Sequence, residues 1–178
     1  MIMIGITGTL GAGKGTIVDC LKERGFSHFS ARDFLVKEIE KRGLPINRDS
    51  MTSTANAIRR EYGNDYIIRS MKDQALKEGK NCVIESVRNP EEVLLMRKVS
   101  GFYLFSVDAD LKIRYERIKL RKSETDNVDF ETFVANEQRE MNPQNGKSQD
   151  IGSCMAMADY RFENNSDIAA LRERVNAV

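Results

Sequence analysis

Residues Gly8 to Thr16 read GTLGAGKGT, and their types and spacing suit one task, holding the phosphates of a nucleotide. Glycines let backbone N–H groups turn inward and approach an anion closely. A helix starting just after them adds unpaired donors and a partial positive charge. Lys14 adds a point charge for the terminal phosphates. The pattern is GxxxxGK, but Gly15 stands where the usual hydroxyl residue follows the lysine, and the hydroxyl comes one place later at Thr16. The candidate phosphate-binding residues are therefore Gly8, Gly11, Ala12, Gly13, Lys14, Gly15 and Thr16.

Four other features bear on phosphate chemistry, and each has a plainer structural reading. Glu85 ends the apolar run Asn81 to Glu85; it suits the hydrated shell of Mg²⁺, or is an ordinary strand-ending acid. Arg88 follows on the same loop and is suited to a bidentate grip on an acceptor phosphate, or is a surface arginine. Arg114, Arg117 and Arg121 recur at steps of three and four, so they share a helix face. They either neutralise phosphate charge or form a solvated basic face. Asp33 either complements a helix dipole or, as a rim carboxylate, binds a substrate hydroxyl or takes its proton. His28 reads as a half-buried strand residue without a nucleophile or metal partner.

The elements that must position these residues alternate. Apolar runs near 1–6, 26–30, 81–85, 102–107 and 160–162 predict five strands, separated by helical patterns. That alternation predicts an α/β fold with a parallel sheet and helices on both faces. Ligand sites in such sheets lie beyond the C-terminal strand ends, which puts the glycine loop, Asp33, Glu85 and Arg88 on one rim. Ile17, Val18 and Leu21 give the first helix its apolar face, ended by Gly25. Ser30 is a plausible cap for the next helix, and Asp49 or Ser50 for the one after. Residues 46–79 carry two helical stretches without strand alternation, a helical insertion. Asp110 is expected to cap a long helix; 122–129 is polar and turn-rich, 130–141 helical, and 142–152 loop-like. A last amphipathic helix spans 168–175.

Composition bounds the function classes. The 178 residues fit one domain, 1–178, with 40% hydrophobic and 31% charged residues, as in soluble globular proteins. A net charge of +1 gives no strong nucleic-acid signal, since a broad nucleic-acid surface would show a basic excess. Cys20, Cys82 and Cys154 have no metal-ligand spacing and read as free thiols in a reducing compartment. No run is long enough to span a membrane and no signal-peptide pattern precedes the first strand, so a cytoplasmic protein is expected.

The chain resembles nucleoside monophosphate kinases of the adenylate kinase type, in a short-lid form. GTLGAGKGT resembles that family's G-x-P-G-x-G-K-G-T loop, including the glycine after the lysine. Ser30 to Leu35, SARDFL, resembles S-T-G-D-M-L, which opens the acceptor-binding region. Glu85 to Arg88 resembles D-G-F-P-R, one residue shorter, and Glu116 to Arg121 resembles D-R-I-x-x-R. The resemblance implies the P-loop nucleoside kinase fold with strand order 2-3-1-4-5, and ATP with Mg²⁺. It implies that Arg88 holds the acceptor phosphate and that Arg117 and Arg121 contact transferring phosphates. Arg139 stands where a further lid arginine is expected, in a lid region of 117–139. The insertion at 46–79 would clamp a small-molecule nucleotide acceptor. Leu10 replaces the loop proline, and Val36 stands where an arginine is expected. Arg32, Arg59 or Arg60 would substitute for that arginine. Ala158 to Asn165, ADYRFENN, resembles the A-D-x-x-x-x-N-N segment of dephospho-CoA kinases, which phosphorylate a ribose hydroxyl and need a base such as Asp33. The expected activity is transfer of the γ-phosphate of ATP to a nucleoside monophosphate. The rivals are a dephospho-CoA kinase-like reaction and a non-catalytic nucleotide switch.

Overall fold

A computed structural model describes residues 1–121, 128–141 and 149–178. Five strands, β1 Met3–Gly8, β2 Ser27–Ser30, β3 Cys82–Glu85, β4 Phe102–Asp108 and β5 Tyr160–Glu163, form one sheet in the order β2-β3-β1-β4-β5. Every pairing is parallel. This is the expected fold and the expected strand order. Central β1 is buried along its whole length, as a strand covered on both faces must be. Met3 faces one apolar cluster with Ile84 and Leu104. Ile4 and Ile6 face the other, with Val83 and Val107.

Helices cover both faces. α1 Lys14–Glu23 and α9 Ile168–Asn176 pack on the second cluster through Ile17, Leu21 and Leu171. On the other face lie α2 Ala31–Lys41, α3 Arg48–Tyr62, α4 Tyr66–Glu78, α5 Pro90–Met96 and α8 Ile151–Ala156. α6 Leu111–Arg121 and α7 Phe130–Met141 complete the described elements. The 46–79 segment is helical as expected. Ile67, Ile68, Met71 and Ala75 of α4 join the core beneath the sheet, together with Ala55 and Ile58 of α3.

Local chemistry explains most boundaries. The Ser30 hydroxyl accepts the Asp33 N–H at 3.3 Å and caps α2. α3 is capped differently from expectation: Asn47, not Asp49 or Ser50, is the cap. Its side-chain oxygen accepts the Ser50 N–H at 2.9 Å while the Ser50 hydroxyl accepts the Asn47 N–H at 3.0 Å. This is a reciprocal capping box, with Ser50 inside the first turn. Asp110 does not stand alone at the start of α6, because its carboxylate accepts the Asn165 amide at 3.1 Å.

The loop expected across 142–152 ends sooner. Asp150 accepts the Ser153 N–H at 3.0 Å and starts α8, which buries Ile151 and Cys154. Residues 142–148, and 122–127 of the polar turn in the lid region, lie outside the described residues. All three cysteines are free and buried. No helix among the described residues is long and apolar enough to cross a membrane.

Candidate active site

The glycine loop joins the C-terminal end of β1 to α1, on the sheet rim where ligands of this architecture bind. Its backbone is packed from below. Gly8 has φ +141°, and a Cβ there would stand 2.1 Å from the Val107 carbonyl oxygen. Gly13, which precedes α1, has φ +111°, and a Cβ there would meet the Asn164 amide at 2.5 Å. That amide donates to the Ala12 carbonyl at 2.8 Å. The Thr9 hydroxyl donates to Asp108 at 2.5 Å, tying the loop to the end of β4. The Lys14 ammonium folds back and donates to the carbonyls of Gly8 and Thr9, both at 2.8 Å. Gly15 differs from the other loop glycines, because a Cβ there would meet nothing within 4 Å. The α1 N-terminus is thus open beside Gly15, with Thr16 half-buried behind it.

Charges from several elements converge on Lys14. Burial and the Arg88 charge lower its pKa from 10.5 to about 8, Arg121 acts in the same direction, and Glu85 and Glu140 oppose it. A cavity on this rim is lined by Gly8, Lys14, Ser86, Arg88, Glu140 and Ile151, among others. Ser86 holds φ +71°, a left-handed conformation that strains a non-glycine residue. The turn it makes lets the Val87 N–H donate to Ile6 at 3.0 Å and carries Arg88 to the rim.

Arg88 is held at both ends. Its guanidinium donates to Gln149 at 2.7 Å, and its backbone N–H donates to Glu92 at 2.7 Å. Arg59, from α3, is near enough that the charges of Glu92 and Arg88 both act on it. Arg32 and Asp33 lie exposed on the first turn of α2. The three arginines of α6 do not share one environment. Arg114 is buried, and it is a structural group rather than a phosphate contact. It donates to Ala109 at 2.6 Å and to Leu10 at 3.3 Å, and it grips both carboxylate oxygens of Glu137. Arg117 is half-buried and donates to the Ser166 carbonyl at 2.9 Å. Its other terminal nitrogen is buried without a hydrogen-bond partner among the described residues. Arg121, at the end of α6, contributes its charge at Lys14. Arg139 is exposed and turned along its own helix, donating to Asn136 at 2.7 Å. Its neighbour Glu140 is the residue of that turn that reaches the Lys14 cavity.

His28 has a partner that its sequence surroundings did not reveal. Its Nε2 lies 3.1 Å from Glu85 Oε2, across the β2–β3 pairing. That hydrogen bond holds the Glu85 carboxyl below its ordinary pKa, against the opposing effect of burial. Among the described residues there is no group of three or more His, Cys, Asp or Glu side chains placed to hold a metal. One ionised carboxylate beside a phosphate loop fits an ion that keeps water and phosphate as most of its ligands, as Mg²⁺ does. The ammonium and guanidinium groups around the open start of α1 fit an anionic phosphate chain.

Sequence reasoning passed over Glu92, Asp108, Glu137 and Glu140, and quoted Asn164 only within the segment likened to dephospho-CoA kinases. Glu92 had a readable signal, since it stands three residues after Asn89, the capping-box spacing. The others act across long separations that no local pattern encodes.

A family model described as AAA domain matches residues 4–142. The UPF0200 protein MJ1399 of Methanocaldococcus jannaschii is 33% identical over 163 residues, spanning 90% of this chain and 80% of that protein. The chain belongs to the AAA-domain family and to the UPF0200 proteins. Among solved structures, this UPF0200 chain is similar to TT1252 from Thermus thermophilus, with a TM-score of 0.66 and 17% identity over 99% of this chain and 95% of that one. It is similar also to shikimate kinase from Bacteroides thetaiotaomicron, with a TM-score of 0.64 and 14% identity over 99% and 97% of the two chains. These likenesses show a shared fold and do not single out the adenylate kinase branch.

Proposed function

We propose that this protein is an ATP-dependent phosphotransferase that moves the γ-phosphate of ATP to a nucleoside monophosphate. The observation that carries the reading is the position of Arg88. This arginine lines the same cavity as Lys14, and its charge also reaches Arg59 of α3. Cations of the phosphate loop, the β3 loop and the helical insertion thus come within electrostatic reach of one another, which suits two phosphate-bearing ligands that meet. Phosphoryl transfer asks mainly for such positioning and charge neutralisation.

In this reading Lys14 and the N–H groups of Gly11 to Thr16 hold the β- and γ-phosphates. Glu85 orients hydrated Mg²⁺, which supplies charge neutralisation on the phosphate chain when bound. Arg88 and Arg59 hold the acceptor phosphate, and Ser30, Arg32 and Asp33 edge the acceptor side. Residues 46–79 form the acceptor clamp within the single domain 1–178. Arg121 flanks the transferring group, and Arg117, fixed to Ser166, flanks the nucleotide. The 117–139 region is the lid, and Arg139 enters the centre only if α7 shifts. In the 158–165 segment, likened to dephospho-CoA kinases, three side chains hold the fold. Asp159 accepts the Leu104 N–H at 2.7 Å, Asn164 supports the loop, and Asn165 pairs with Asp110.

The test is ADP release from ATP with a panel of nucleoside monophosphates, and with dephospho-CoA in parallel. A monophosphate is expected to raise turnover by at least tenfold, and Lys14→Ala to remove that increase. Stimulation by dephospho-CoA alone would assign a hydroxyl acceptor. Slow turnover that no acceptor changes would overturn the reading in favour of a nucleotide switch.

A further inference from the structure

Thr7 stands near the C-terminal end of β1, 0% exposed, and its Oγ1 is buried without a hydrogen-bond partner among the described residues. Alternation along the strand puts it on the face of Met3 and Gly5, which α8 covers. It lines the Lys14 cavity together with Ser86, Arg88, Glu140 and Ile151. That cavity leaves about 60 Å³ for the centres of water-sized groups, several times the room that one water needs. The two cations on its wall have protein partners: Lys14 donates to the carbonyls of Gly8 and Thr9, and Arg88 donates to Gln149. Among the described residues the Thr7 hydroxyl has none. Leaving a buried hydroxyl unpaired costs stability, and a valine would fill nearly the same space without that cost. Backbone strain falls on the same wall, because Ser86 holds its left-handed turn there. Such strain persists where the surrounding structure enforces it, and it gathers at ligand sites.

We propose that the Thr7 hydroxyl is a further catalytic group, donating a hydrogen bond to an oxygen of the phosphoryl group in transit between the two nucleotides. The inference rests on the phosphotransferase reading of this cavity under the proposed function. In that reading Lys14 marks the ATP side and Arg88 the acceptor side, and Thr7 lies on the wall with both. Its hydroxyl is a neutral donor fixed to the buried central strand, so it needs no rearrangement as charge spreads over the phosphoryl oxygens. The bond from an acceptor phosphate oxygen to the γ-phosphorus forms while the bond from that phosphorus to the β–γ bridging oxygen breaks. ADP and a nucleoside diphosphate result, and Thr7 keeps its proton throughout. Glu140, the carboxylate on this wall, belongs to α7 and is no part of the donor set fixed to the sheet.

The experiment compares wild type with Thr7→Val, which removes the hydroxyl at nearly the same shape, and with Thr7→Ser, which keeps it. Melting temperature is measured without nucleotide, and kcat and acceptor KM with the monophosphate that the panel finds most active. In Thr7→Val the melting temperature is expected to stay or rise, because no partner is lost. Its kcat is expected to fall roughly ten- to hundredfold, the worth of a hydrogen bond to a charged group, with little change in acceptor KM. Thr7→Ser is expected to retain most of the kcat. A lower melting temperature in Thr7→Val would show that the hydroxyl serves the fold, through a resident water for example, and would overturn the proposal. An unchanged kcat, or an equal loss in both variants, would overturn it too. If no acceptor in the panel is turned over, the proposed activity fails by itself, and Thr7 is tested by binding alone. Calorimetry then measures inorganic phosphate on protein loaded with ADP and Mg²⁺. Binding to wild type that Thr7→Val weakens about tenfold would support the site; no binding, or equal binding by both, would sink it.

Discussion

At the scale of single residues, the glycines of the loop divide by what surrounds them. Gly8 and Gly13 are required by the fold, because their positive φ and the Val107 and Asn164 contacts leave no room for a side chain. Gly15 is required by neither, since it has open space around it and ordinary helical backbone. A glycine that the fold does not need, at the first turn of the phosphate-binding helix, is there for what approaches it. Gly15→Ala is therefore expected to stabilise the nucleotide-free protein by up to ~1 kcal/mol, because alanine loses less backbone entropy in a helix. The same methyl crowds the phosphate chain and is expected to weaken ATP binding about tenfold, for a steric cost of roughly 1–3 kcal/mol. Thermal unfolding without nucleotide and ATP titration measure the two effects separately. Opposite signs are the expected outcome; equal ATP affinity would remove the phosphate from that position. The one-residue departure from the GxxxxGK[ST] pattern was legible in the chain. Only the packing shows that Gly15 is the unencumbered glycine.

At the scale of elements, α6 and α7 are joined through Arg114. This arginine is 4% exposed and binds the Leu10 carbonyl of the loop, the Ala109 carbonyl after β4 and the Glu137 carboxylate of α7, and it lies over the Phe133 ring. Its helical spacing with Arg117 and Arg121 suggested a common basic face. Spacing gives direction around a helix and is silent about what stands opposite each residue. Because Glu137 is fixed by Arg114, Glu140 one turn on faces Lys14. Glu137→Ala leaves a buried guanidinium without its carboxylate and is expected to cost about 3 kcal/mol in folding stability. Urea unfolding checks this. A loss below about 1 kcal/mol would mean that the pair behaves as a surface ion pair. α8 was missed at this scale for a related reason: its six residues carry two buried side chains, too little for periodicity to register.

At the scale of the whole molecule, the state of Lys14 is set by residues far apart in the chain: Glu85 and Arg88 after β3, Arg121 on α6 and Glu140 on α7. Its pKa of about 8 lies below the ordinary 10.5. Between those values the folded protein sheds a proton that the unfolded chain keeps, so this group makes stability rise with pH across that window. Phosphate returns a counter-charge to the ammonium and draws its pKa back up. ATP binding at pH 8.5 is therefore expected to take up a proton at Lys14, and affinity to decline as pH climbs above 8. Calorimetry in paired buffers measures the uptake, which Lys14→Ala is expected to abolish; uptake that persists in the variant would move it to another group. Glu85, also lowered, gives the same direction of pH dependence in its own acid window, but at neutral pH its contribution favours folding. Its lowered pKa contributes stability that is present above the unfolded carboxylate pKa and is lost as pH falls through the folded value.

The chain by itself determined the phosphate loop, the five parallel strands and the rim on which Glu85 and Arg88 stand, while the strand order was implied by the family resemblance. Those features are local or follow from alternation: glycine spacing, apolar runs and capping residues act within a few positions, and βαβ geometry does the rest. Tertiary structure alone decided which charges meet. Three arginines at helical spacing became one buried strut, one half-buried group against Ser166 and one rim cation, because the loop, β4, α7 and the Ser166 turn stand at different points around α6. Glu92 came within electrostatic reach of Arg59, 33 positions away in the sequence, because α3 and α5 cover the same face of the sheet. Pairwise electrostatics depend on distance and burial, and neither is written in residue order.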